Sequence, residues 1–278
     1  MDASARVNHI RSVNDELEHE EVKIAWLTLD QFAAPDGGSI LDRLASAPDE
    51  VLVALAAHLG ISARAEEGTS CWDPGLFRLF VSHHHTVRGS AAKLKAVLAR
   101  RGVSAFVAHD DIEPTAEWQA EIERALRSCQ ALAALLTKEF HPSYWTDQEV
   151  GVAFGRGVLI LPVALGVNPY GFIGKYQALG NERMAVEELG EKLVEILLTH
   201  PLTKPLMGEP LVKAIETSWS FADSKRLLVL LEGYGSFSPQ MWERIVKAAE
   251  GNQQVRDAFG VPERIRALAG EASRRTTR

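Results

Sequence analysis

With 278 residues, 46% hydrophobic and 24% charged, the chain has an ordinary globular composition and room for two domains or one with large additions. A formal net charge of −7 argues against a surface that tracks nucleic-acid phosphates. Cys71 and Cys129 form neither a CxxC pair nor a disulfide framework, which suits a reducing compartment.

Residues 1–23 carry acidic side chains and no apolar core, so no secretory signal is expected there. The longest apolar stretches, 51–59 and 158–167, are far shorter than the roughly 20 residues that span a bilayer. The expectation is a soluble, cytoplasmic protein without membrane or nucleic-acid partners. The basic cluster Arg274, Arg275 and Arg278 reads as a solvated tail.

Three regions follow one another: a helical stretch over 1–73, an alternating α/β region over 74–200, and a helical region over 201–278. In the first, Val51, Leu52, Leu55 and Leu59 make one helical stripe, and residues 33–39 and 65–71 read as loops. In the second, apolar runs at 76–81, 103–108, 131–137 and 158–165 predict four strands. Between them lie helical stripes: Ala91, Leu94, Val97 and Leu98, closed by Gly102; then Trp118, Ile122, Ala125 and Cys129; then a helix over 147–155. A later helix covers 187–199. Strands apolar on both faces and alternating with helices imply a flavodoxin-like parallel sheet covered on both sides. In the third region, 223–232 is helical, Ser238-Pro239 supplies an N-cap and an N1 proline, and Val261-Pro262 opens a last short helix. These flanking helices are candidates for packing together or for an oligomerisation face.

Ligands of an open parallel sheet bind beyond the carboxyl ends of its strands. Those ends carry Ser82, His83, His84 and His85 after the first strand and His109, Asp110, Asp111, Ile112, Glu113 and Pro114 after the second. After the third come Phe140 to Trp145, then Thr146, Asp147, Gln148 and Glu149. Residues 168–174, Asn-Pro-Tyr-Gly-Phe-Ile-Gly, follow the fourth strand and are placed to roof the crevice or to anchor packing.

In order and spacing, FRLFVSH, GVSAFVAHDDIEPTAEW, SCQALAALLTKEFHPSYWTDQEVGVA and VLILPV resemble a bacterial TIR (Toll/interleukin-1 receptor) domain over residues 77–165. Many bacterial members are NAD glycohydrolases whose catalytic glutamate opens the helix after the third strand. The resemblance implies that Glu149 is catalytic, that Trp145 stacks on nicotinamide, and that His83, Asp110 and Asp111 line the rim. It implies NAD as substrate rather than cofactor, self-association into homo-oligomers, and a part in defence against phage. The family loop often has glycine after its proline; here Thr115 follows Pro114.

Each residue also has a plainer reading. Thr146-x-x-Glu149 matches a capping box, which would turn the carboxylate onto its own helix start; a cap from Ser143 instead would leave Glu149 for substrate. Adjacent His83, His84 and His85 cannot converge on one metal while the chain is extended, and no CxxC or HExxH pattern supports a metal site. His84 and His85 read as solvated. Asp110 and Asp111 serve equally as turn residues. A response-regulator receiver would need an aspartate where the third strand ends in Thr137-Lys138. Ser82 lacks a G-x-S-x-G elbow, and neither a G-x-G-x-x-G fingerprint nor a P-loop occurs. The resemblance implies three functions in order of preference: an NAD glycohydrolase or cyclase; a non-enzymatic TIR adaptor; or a domain that senses NAD or ADP-ribose without cleaving it.

Overall fold

The computed structural model describes residues 71–107, 116–180 and 183–276, all within one compact unit, Ser70–Arg278. The helix expected over 49–59 and the loops at 33–39 and 65–71 lie outside the described residues, except for Cys71 at the end of the second loop. So do His109, Asp110, Asp111, Ile112, Glu113, Pro114 and Thr115.

Four parallel strands, β1 (Phe77–His83), β2 (Val103–Val107), β3 (Ala131–Leu136) and β4 (Leu159–Ala164), form a sheet in the order β2-β1-β3-β4. β2 and β3 are buried throughout, as expected for strands covered on both faces. β1 runs two residues beyond its apolar run, so that Ser82 and His83 still pair with Ala134 and Leu135 of β3. Outside β4, Leu179 makes a single parallel bridge: its N–H reaches the Pro162 carbonyl at 2.7 Å and its carbonyl accepts from the Ala164 N–H at 2.8 Å.

The strands' side chains alternate between two cores. Phe77, Leu79 and Val81 enter the larger one, with Ala91, Leu94 and Leu98 of α1 (Arg88–Ala99) and Leu193, Val194 and Leu197 of α4 (Val186–Thr199). That core continues through α5 (Gly208–Glu216), α6 (Phe221–Tyr234), α7 (Pro239–Gly251), α8 (Gln253–Arg256) and α9 (Val261–Thr276). Two glycines permit this closeness. A Cβ on Gly190 of α4 would stand 2.4 Å from Val97 Cγ1, and one on Gly102 (φ +82°) 2.6 Å from the Pro210 carbonyl oxygen. Arg101, itself buried, donates to the Val97 carbonyl and to Glu187 (2.9 Å) and Glu191 (3.1 Å), tying α1 to α4.

The Ser238-Pro239 signal acts as read, Ser238 capping α7 ahead of Pro239. At α6, Ser220 Oγ accepts from the Asp223 N–H and Gly235 closes the helix in the left-handed region. The last helix is not short. α9 spans 16 residues because Val261, Ile265, Leu268, Ala269 and Ala272 continue one apolar stripe against the core.

On the opposite face, Phe80, Leu132, Ala134 and Leu136 meet Ile122, Ala125 and Leu126 of α2 (Ala116–Ser128) and Val150 and Ala153 of α3 (Thr146–Gly155). Trp72 seals this core from below, donating through Nε1 to Ser128 Oγ. No helix among the described residues is long and apolar enough to cross a membrane.

Candidate functional site

The chain leaves β1 for β2 on one side and then crosses to β3 on the other, so the crevice of this sheet lies beyond the carboxyl ends of β1 and β3. Side-chain alternation along β1 decides what faces it. Phe80 points to the α2/α3 side, and so does Ser82 two residues on. There the Ser82 hydroxyl donates to Glu149 Oε2 at 2.5 Å, both side chains being buried.

Glu149 does not close a capping box. The N-cap of α3 is Trp145, whose carbonyl accepts from the Glu149 N–H at 2.9 Å, and no side chain caps the helix. Thr146 is the first helical residue rather than the cap, and its hydroxyl donates to the Phe140 carbonyl. Ser143 Oγ accepts from the Trp145 N–H at 3.3 Å. The Glu149 carboxyl therefore reaches across to β1. It is 5% exposed.

The other residues singled out by sequence divide around this pair. Trp145, half-buried, meets Trp118 of α2 edge to face at 5.7 Å, so two indoles stand beside the start of α3. His83 belongs to the opposite face by alternation. It is buried, and its Nδ1 lies 3.1 Å from the Val81 carbonyl, a contact that requires the proton on Nδ1. The structure thus joins Glu149 to Ser82 across the α2/α3 face. His84 is partly exposed and caps the 3-10 turn His85–Val87, while His85 is exposed. Asp110 and Asp111 lie outside the described residues. Among the described residues no three His, Cys, Asp or Glu side chains gather as a metal site would require.

Two features escaped the sequence reading. The sequence places Ser82 at the crevice and excludes it as a nucleophile, but its pairing with Glu149 follows only from counting by twos from Phe80, which aims it at the helix that carries the glutamate. The second is a contact around Asp147. Its Oδ2 lies 2.6 Å from His141 Nδ1, and its Oδ1 accepts from the Tyr170 hydroxyl at 2.5 Å. Burial, reinforced by Asp147, pushes the Tyr170 hydroxyl above the ordinary phenol range, so it remains a donor. In the segment after β4, Ile173 is buried as an anchor, whereas Phe172 is largely exposed and stacks on Phe154 at 4.9 Å.

Residues 79–194 match the family model of the TIR domain. The chain thus carries a TIR domain across its sheet and the helices α1 to α4, a stretch that includes Ser82, His83, Trp145 and Glu149. No curated protein and no solved structure matches the chain significantly.

Proposed function

We propose that this TIR domain is an NAD glycohydrolase of the bacterial type, and that Glu149 is its catalytic residue. The bond broken joins ribose to a pyridinium, so nicotinamide leaves neutral and needs no general acid. The enzyme has to stabilise positive charge growing on the ribose and to orient its hydroxyls. A single carboxylate in a poorly hydrated crevice performs both tasks, unlike ordinary glycoside hydrolysis, where two carboxyls divide acid and base work. The observation that carries the reading is the Ser82–Glu149 pair at the sheet's crossover point, with the carboxylate drawn away from its helix start. Trp145 supplies an aromatic wall for nicotinamide, and His83, Asp110 and Asp111 are proposed for the rim. The protein acts in the cytoplasm, in antiviral defence, yielding ADP-ribose or a cyclic product, and assembles into homo-oligomers when active.

The reading carries one strict requirement. At 5% exposure Glu149 meets no ribose in this conformation, so turnover needs an opened state, and self-association is the proposed means of reaching it. The same burial favours the second reading, a TIR adaptor in which Ser82–Glu149 is an internal lock between α3 and β1. Nicotinamide release by concentrated protein separates the two. Glu149→Gln is expected to lower the rate by about 10²–10³ while leaving the fold intact. No turnover by the wild-type protein at any concentration or assembly state would establish the adaptor instead.

A further inference from the structure

Asp147 sits in the first turn of α3, two residues before Glu149, and both its carboxylate oxygens are engaged. One meets His141 at 2.6 Å, from the segment that leaves β3 and leads into α3. The other accepts from Tyr170 at 2.5 Å, from the segment that leaves β4. The His141 and Tyr170 rings themselves meet edge to face at 5.1 Å, closing a triangle of three side chains from three stretches of chain.

The geometry points to Asp147 as a positioning residue that fastens both segments beyond β3 and β4 to the start of the helix bearing Trp145 and Glu149. Its catalytic part rests on the NAD-cleaving reading above; the fastening itself does not.

The direction of the side chain excludes a direct role. At about 100° of turn per residue, positions 147 and 149 project roughly 200° apart around α3, so Asp147 faces away from the carboxylate it supports. The chemistry of the triangle is also specific. Since Asp147 accepts, His141 must carry its proton on Nδ1, which leaves Nε2 toward solvent on a ring that is 74% exposed. A single exposed pair of this kind adds too little to matter for global folding. Joined to two otherwise separate segments, it limits how each moves relative to α3. Gln148 adds to the same restraint by donating from its amide to the Tyr144 carbonyl.

Two measurements test this. Hydrogen exchange in Asp147→Ala is expected to speed up in 138–145 and 167–176 together and to stay unchanged in the four strands. Exchange unchanged in either segment, or raised across the sheet, overturns the fastening. In nicotinamide-release kinetics, Asp147→Ala is expected to lower kcat about tenfold with KM moving less than twofold, since small misplacement of a catalytic group is costly. Tyr170→Phe should give a smaller loss, and adding it to Asp147→Ala should cost nothing further, because both act through one contact. Wild-type kcat in a protein whose two segments are freed would overturn the catalytic part. Should the wild-type protein release no nicotinamide at all, the functional reading falls, and the exchange data alone decide whether Asp147 fastens the two segments.

Discussion

The two faces of the sheet use the same four strands for different ends. On the α1/α4 side, a mainly aliphatic core runs from β1 into five further helices, α5 to α9, and the buried guanidinium there, that of Arg101, is tied off by the Val97 carbonyl, Glu187 and Glu191. On the α2/α3 side the core is smaller and richer in aromatic rings, with Trp72, Phe80, Phe106 and Phe140, and at its carboxyl end it gives way to a buried hydroxyl and carboxylate. Burying a carboxylate costs free energy unless it is well bonded, whereas aliphatic burial is favourable without conditions. One face is therefore suited to supplying stability, and the other can hold a group that stability alone would not select.

That contrast can be broken most severely at the larger face. Ending the chain at residue 200 would strip Met207, Leu211, Val212, Ile215, Leu231 and Ile245, all fully buried, from the larger core, and the loss should exceed the roughly 5–15 kcal/mol that holds a typical domain together. Circular dichroism and solubility should then report no cooperative fold; a stable 1–200 fragment would show the helices α5 to α9 to be dispensable. A milder version is Leu211→Ala in α5, fully buried, for which urea unfolding should lose about 2–5 kcal/mol.

Across the sheet the effects should be smaller in stability and larger in activity. Ser82→Ala leaves Glu149 Oε2 buried without that donor, and about 1–3 kcal/mol of stability should go with it. If NAD is cleaved, the rate should also fall, because the hydroxyl that holds the Glu149 carboxyl in place is gone. An unchanged rate would remove Ser82 from the chemistry.

The smallest effect concerns the ion pairs that bind α4 to α1. Hydrogen bonding from Arg101 holds the Glu187 carboxyl below its usual 4.5. A depressed folded-state pKa means that its contribution is complete above the unfolded value and fades as pH falls through the folded one. Melting temperature should therefore decline below about pH 4.5 in the wild-type protein, and by less in Glu187→Gln. Equal declines would assign the acid sensitivity to other carboxylates.

Much of this architecture was legible beforehand because apolar runs and helical stripes are strong signals. The runs at 103–108 and 131–137 end within a residue or so of β2 and β3. Legibility failed where polar residues continue a regular element. Ser82 and His83 look like loop but stay hydrogen-bonded to β3, and assigning them to a loop hid which of them faces α3. At the start of α3, Thr146 has the chemistry of a cap, yet it is already helical and the N-cap is Trp145, a type that sequence statistics do not favour there. The Asp147 contact was beyond reach for another reason. His141 and Tyr170 are 29 positions apart and come together only once β3 and β4 are paired.

The border of β4 bears on how copies of this chain can and cannot join. Pro162 has no N–H to offer a newcomer, and Leu179 already occupies its carbonyl together with the Ala164 N–H. A foreign strand laid along this stretch would find neither donor nor acceptor, so the sheet cannot act there as a template for its own extension. Growth by strand addition, the route to insoluble fibres, is closed along that stretch without a charged residue being spent on it.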